Sequence, residues 1–130
     1  MENPLSPNFD IEAFKLRDYM IRATVSQIIK DFSMFGMEVF FEGDAEEAYE
    51  QLFHQLEGHI VELLSKNSER LYNLLYHIDI SEYSIEEALR NQPNSPLSAI
   101  IAEMIIHREL KKVVIREYFK QQGSQKTDDT

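Results

Sequence analysis

The sequence has no cysteine and no tryptophan, and only four glycines and four prolines among its 130 residues. Without cysteine there is no disulfide framework, no thiolate metal site and no cysteine nucleophile, so stability must come from a packed core. The absence of cysteine also favours a reducing, cytoplasmic compartment. The prolines lie at positions 4, 7, 93 and 96, which leaves residues 8–92 free to form long helices.

The sequence also has no long hydrophobic run. Its longest strongly apolar stretch, residues 98–106, is interrupted by Glu103 and falls short of the roughly 20 residues that span a bilayer. Residues 1–8 contain Glu2 and two prolines, where a secretory signal has a basic start and an apolar run. We therefore expect no membrane association and a cytoplasmic location.

Basic residues are scarce, and their distribution is uneven. The chain has 23 acidic and 13 basic residues, a formal net charge of −10. Nine of the acidic residues lie within residues 31–65, a stretch that contains no lysine or arginine. A surplus of negative charge repels phosphate backbones, so we expect no nucleic-acid partner.

Apolar residues recur at helical spacing along most of the chain. Phe14, Ile21, Val25, Ile28 and Phe32 follow one another at intervals of seven, four, three and four, which predicts an amphipathic first helix. Residues 37–43 are predicted to form a tucked-in loop. Three start signals place later helices: possible capping boxes at Asp44–Glu47 and Ser84–Glu87, and the pair Ser95-Pro96. The predicted helices are residues 10–34, 45–65, 69–78, 84–90 and 96–121.

Three long and two short helices with brief connections predict an all-α fold, a compact antiparallel helical bundle. The predicted domain covers residues 10–122. Residues 1–9 are expected to be a flexible N-terminal segment. Residues 123–130 are polar and lack apolar periodicity, so we expect a disordered tail there.

The last predicted helix has apolar residues on two opposite faces. The first face consists of Leu97, Ile100, Ile101, Met104, Ile115, Tyr118 and Phe119, and the second of Ala99, Ala102, Ile106, Leu110 and Val113. Two explanations are open. This helix could be the central one of the bundle, covered on both sides by its own chain. Alternatively, Ile106, Leu110 and Val113 contact a second subunit, which predicts a homodimer formed through the last helix.

A basic stripe follows the same helix: Arg108, Lys112, Arg116 and Lys120 recur at intervals of four. The second helix has an acidic flank that contains Glu46, Glu50 and Glu57. Opposite charges of this kind mainly select register and partner. We expect the basic stripe to face the acidic flank, either in the same chain or in a neighbouring subunit.

One short pattern points to chemistry. The string His54-x-Leu56-x-Gly58 resembles the centre of the histidine phosphotransfer domain, a helical bundle that passes a phosphoryl group through an exposed histidine. The resemblance implies a signalling module in which His54 is the phosphorylated residue. The acidic flank opposes this function, because Glu50 and Glu57 would repel a phosphoryl group whose transfer needs cationic stabilisation.

No other constellation of reactive residues is present. His54 and His59 are five residues apart and point in different directions on a helix, so they cannot easily share a metal ion. We expect no metal site and no cofactor. The favoured hypothesis is a protein that is not an enzyme and acts through protein contacts or self-assembly; the alternative is the phosphotransfer module that uses His54.

Overall fold

The computed structural model describes residues 11–128, with side chains described for residues 12–123. Within this range the fold is all-α and the helices form a bundle, which confirms the predicted class. A single 3₁₀ turn, Ala45–Glu47, precedes the second helix. The five helices are α1 (Ile11–Met34), α2 (Ala48–Lys66), α3 (Ser68–Ile78), α4 (Glu82–Asn91) and α5 (Leu97–Asp128).

The end of α1 is set by a glycine in a left-handed conformation. Gly36 has a φ of +78°, which any other residue would adopt only with strain. The N–H of Met37 donates to the carbonyl oxygen of Phe32, five residues earlier, and so closes the last turn. The predicted first helix, residues 10–34, matches α1. The flexible segment predicted for residues 1–9 lies outside the described residues.

The connection between α1 and α2 is a loop, as predicted, but it has a strand-like register. Met37 and Val39 are buried, whereas Glu38, Phe40 and Glu42 are exposed. This alternation of buried and exposed residues is that of an extended chain lying on a core. The connection therefore adds two apolar side chains to the core without forming a sheet.

Two glutamines of α2 pair with the backbone of this connection. Gln55 accepts from the N–H of Phe40 at 2.8 Å and donates to the carbonyl oxygen of the same residue at 2.7 Å. One helical turn earlier, Gln51 makes the same two contacts with Glu42, at 3.3 and 2.7 Å. A side-chain amide offers a donor and an acceptor in one plane, so each glutamine replaces a residue of a neighbouring strand.

The connection runs back along α2, with consequences for helix direction. Glu38 lies beside His59, whose Nε2 donates to its carbonyl oxygen at 2.7 Å, and Glu42 lies beside Gln51, nearer the start of the helix. The connection starts at the end of α1 and runs antiparallel to α2 before α2 begins. Helices α1 and α2 therefore run in the same direction. This pair differs from the neighbouring antiparallel helices of a simple up-and-down bundle.

Helices α3 and α4 are short and are capped by side chains. Asn67 accepts from the N–H of Arg70 at the start of α3, where a break in the helix was predicted. Ser81 accepts from the N–H of Ser84, so α4 begins at Glu82, before the predicted start at Ser84. The capping box predicted at Asp44 is also absent, because the Asp44 side chain makes no capping hydrogen bond.

The core is shared by α1, the connection, α2, α3 and the first half of α5. Helix α4 contributes no buried residue and packs through the partly buried Ile85. The largest fully buried apolar side chains come from all four main helices: Ile28, Phe32, Leu52, Leu56, Ile60, Leu74, Ile78 and Ile105. Helix α5 is thus central over its first half. It continues to Asp128, past the predicted end at Gln121, so the backbone of the predicted tail is helical over residues 123–128.

We expect Gln55→Ala to lower the free energy of unfolding by about 1 kcal/mol, because two hydrogen bonds to Phe40 are lost at a partly exposed site. Urea denaturation measures the loss, and amide exchange should show faster exchange of the Phe40 N–H. Gln122→Ala is the matched control, since it removes an exposed glutamine of α5. Equal stability of both variants would contradict the assigned pairing.

Candidate functional site

Two acidic side chains are buried where α1 meets α5. Asp31 of α1 is 3% exposed and Glu109 of α5 is fully buried. Carboxyl groups are almost never fully buried unless a partner accompanies them. This pair is therefore the most unusual chemical feature of the described residues.

The partners of Asp31 come from α1 and α3. Gln27 Nε2 donates to Asp31 Oδ1 at 3.0 Å, and His77 Nε2 lies 3.1 Å from the same oxygen. The His77 ring packs edge-on against Phe35, with 5.7 Å between the ring centroids. Burial opposes ionisation of Asp31, but hydrogen bonds from Glu109, Gln27 and His77 outweigh it and lower the pKa of the Asp31 carboxyl group.

The pKa of Glu109, in contrast, is raised. Neither of its carboxyl oxygens accepts a hydrogen bond, and the nearest cation, Lys112 Nζ, lies 3.5 Å from Oε1. Burial, together with the hydrogen bond and the charge of Asp31, raises the pKa of Glu109 to about 8. The raised pKa favours the protonated form of Glu109 at neutral pH, although Lys112 acts in the opposite direction, and the lowered pKa of Asp31 favours its carboxylate.

The end of α3 joins this cluster through its backbone. Lys112 Nζ donates to the carbonyl oxygen of Ile78 at 2.6 Å, and Arg108 donates to Asp79 Oδ2 at 2.6 Å. Asp79 ends α3 in a left-handed conformation, with a φ of 72°. Cations at a helix C-terminus are favourable because they face its unpaired carbonyl groups. The two basic residues of α5 thus hold the end of α3 in place.

These contacts place two residues of the basic stripe away from the acidic flank of their own chain. Arg108 and Lys112 bind the end of α3, and neither pairs with the acidic flank of α2 in the same chain. The reason lies in the register of the helices. Ser98 at the start of α5 donates to Glu57, so α2 packs on the first turns of α5 and the basic stripe begins beyond it. Arg116 and Lys120 are exposed.

The second apolar face of α5 is covered by its own chain. Ile106 and Val113 are buried within the chain and Leu110 is half-buried, which favours the explanation of α5 as a central helix. The first face is exposed at its C-terminal end instead. Its uncovered residues there are Ile115, Tyr118 and Phe119, which are 43%, 58% and 66% exposed, and the adjacent Val114 is 42% exposed. We call these four residues the terminal patch.

His54, the residue of the phosphotransfer hypothesis, lies on the solvent side of α2. Its side chain is 70% exposed, and its ion-pair partner within 4 Å is Glu50, at 3.9 Å. Its ring also packs edge-on against Phe53. No lysine or arginine forms an ion pair with this site among the described residues. The contacts of His54 therefore offer no cation to an incoming phosphoryl group.

Two further features bear on function. In the part of the chain that the structure describes, no group of three or more histidines and acidic residues could hold a metal ion. No helix over residues 11–128 combines the length and apolarity that crossing a membrane requires.

The cluster around Glu109 is absent from the sequence predictions, although the sequence contains a signal for it. Asp31 follows Ile28 by three residues and precedes Phe35 by four. Glu109 likewise follows Ile105 by four residues and precedes Val113 by four. An acid at a helical position that spacing assigns to the core indicates a buried carboxyl group.

In comparisons with known proteins, no family model, no curated protein and no solved structure matches the chain.

We expect Lys112→Met to lower the free energy of unfolding by about 1–3 kcal/mol, because the short charged hydrogen bond to the Ile78 carbonyl is lost while the side-chain stem is kept. The matched control is Lys111→Met, which changes the neighbouring exposed lysine and should stay within about 0.5 kcal/mol. Thermal or urea unfolding at low protein concentration distinguishes them. A larger loss in the Lys111 variant would show that the contact is mispositioned.

Proposed function

We propose that the protein is a non-catalytic self-association module, and that the terminal patch of α5 is the surface through which two copies bind. The observation that supports the proposal most directly is the exposure of Ile115, Tyr118 and Phe119 on one stripe of a single helix. Large aromatic side chains at a surface are typical of the centres of protein interfaces.

The terminal patch continues a face that is buried earlier in the same helix. Ile100 and Ile101 lie on this face in the first half of α5 and are 2% exposed. Beyond Val113 no described residue of α5 is buried. The helix therefore extends past its own core with apolar side chains uncovered, and a contiguous exposed apolar patch favours a binding partner.

Charge favours a second copy of this chain as the partner. Lys111, Arg116 and Lys120 are exposed around the terminal patch. Glu46 and Glu50 are exposed at the start of α2, where Tyr49 stacks on Phe53 and leaves 46% of its surface exposed. A basic, apolar helix end and an acidic, aromatic one are complementary. Two copies related by a two-fold axis would each contribute one surface of each kind.

We expect the double variant Ile115→Ser, Phe119→Ser to be monomeric at concentrations at which the wild type associates, because the apolar centre of the interface is lost. Sedimentation equilibrium at micromolar concentrations gives the mass. Val61→Ser and Tyr76→Ser change residues that are similarly exposed but lie on other helices, and they should leave association unchanged. A wild-type protein that stays monomeric up to several hundred micromolar would remove the proposal.

Charge reversal tests the choice of partner surface. We expect Arg116→Glu with Lys120→Glu to abolish association, and Glu46→Lys with Glu50→Lys to do the same, because each leaves like charges facing one another. Mixing the two double variants should restore a dimer, since every contact between copies can again pair opposite charges. Restoration of mass in the mixture identifies α2 as the partner surface. Loss without restoration would assign the terminal patch to a different surface.

A further inference from the structure

We propose that Asp31 and Glu109 form a proton-binding site in which one proton is shared by the two carboxyl groups, and that loss of this proton weakens the packing of α5 against α1. The inference concerns the interior of a single chain and does not depend on self-association. It rests on the burial of both carboxyl groups, on the absence of donors to Glu109 and on the charged groups that surround the pair.

Both carboxyl groups are shielded from water. Asp31 and Glu109 are 3% and 0% exposed, so neither exchanges its partners for water while the helices are packed. Asp31 already receives donors from Gln27 and His77, whereas both oxygens of Glu109 lack one. A buried carboxylate without donors is strongly unfavourable, but a carboxylic acid can donate to an adjacent carboxylate. Packing therefore favours a proton on Glu109, because its nearest cation, Lys112 Nζ, lies as far as 3.5 Å from Oε1.

The net charge of the cluster depends on the shared proton. The groups that face the two acids are Gln27 from α1, His77 from α3 and Lys112 from α5, while Arg108 is paired with Asp79 at the end of α3. With one shared proton, the carboxylate of the pair is balanced by Lys112 when His77 is neutral. Loss of the proton leaves one uncompensated negative charge in the interior, against the α1–α5 contact.

His77 gives the site access to solvent. Its side chain is 38% exposed, and its Nε2 lies 3.1 Å from Asp31. An imidazole has two ring nitrogens that can each donate or accept a hydrogen, so His77 can pass protons between water and the buried pair.

The direction of the pH dependence follows from the raised pKa of Glu109. Below its ordinary value of 4.5, both the folded and the unfolded chain hold the proton. Between 4.5 and about 8 only the folded chain holds it, so stability falls as pH rises. Above about 8 both forms have released it, and the dependence levels off. The lowered pKa of Asp31 acts at more acidic pH and leaves this window unchanged.

The test compares Glu109→Gln with Glu103→Gln across pH 5.5–7.5. In wild type and in the Glu103 control, a half-exposed acid of the same helix, the unfolding equilibrium constant should rise by up to roughly tenfold per pH unit, beyond the contribution of the histidines. Glu109→Gln places a neutral side chain of the same shape at this position. In this variant the additional rise of the unfolding equilibrium constant with pH should vanish. Denaturant titrations at each pH measure it, and an undiminished excess in Glu109→Gln would overturn the proposal.

Two measurements keep the proposal testable if Glu109→Gln does not fold. Carbon-13 detection of the Glu109 carboxyl resonance in the wild type should show a titration near pH 8. A titration midpoint near the ordinary pKa of 4.5 would show that Glu109 is ionised at neutral pH and would refute the proposal. Hydrogen exchange, corrected for intrinsic rates, should lose protection at pH 8.5 around Asp31 and Glu109 more than in α2. Equal loss throughout the chain would contradict a local effect on the α1–α5 contact.

Discussion

The packing of α1, α3 and α5 depends on keeping one buried carboxyl group, that of Glu109, neutral. A charged group in this position would cost several kcal/mol, and the surrounding residues reduce that cost by their arrangement. The Asp31 carboxylate accepts a hydrogen bond from the protonated Glu109, Lys112 balances the remaining charge and His77 reaches the solvent. Apolar residues of similar volume would pack without these requirements. The cluster joins the three helices through directed contacts, from Asp31 of α1 to His77 of α3 and from Lys112 of α5 to Ile78 of α3.

Helix α5 has two environments along its length, and this division explains why its amphipathic pattern is ambiguous. In the first half both faces are buried by the same chain, and Ile101 and Ile106 are in one core. In the second half no described residue after Val113 is buried, and Tyr118 and Phe119 pack edge-on against each other at the surface. A periodic pattern shows on which face of a helix each side chain lies. It does not show whether the neighbouring helices extend far enough to bury that face.

The helices and most of the core can be predicted from the spacing of apolar residues and from the residues that interrupt helices. The stripe Val25, Ile28 and Phe32 is buried where the period of 3.6 residues places it, and the breaks at Gly36 and Asn67 are real. Contacts between distant segments do not follow in this way. The pairing of Asp31 with His77 spans 46 residues and depends on the direction in which α1 and α3 cross. Local propensity carries no information about that crossing.

The cap positions differ from the predictions for a related reason. Several serines and acids near a helix start satisfy the same pattern, as Ser81 and Ser84 do, and the choice depends on how the preceding chain enters. At Asp44 the chain enters through a 3₁₀ turn, so the capping geometry of an α-helix is not reached. Such alternatives differ by about 1 kcal/mol, which packing easily overrides.

The glutamine-paired connection between α1 and α2 limits how this sequence can vary. Surface loops usually accept insertions, because their backbone groups are satisfied by water. Here Gln51 and Gln55 pair with alternate residues, Glu42 and Phe40, while Val39 is buried and Phe41 packs against the core. With Phe40 held by Gln55, an insertion of one residue between Val39 and Phe40 would shift the alternation and turn Val39 toward solvent. Residues 37–43 therefore have a fixed length, although they form no helix or strand.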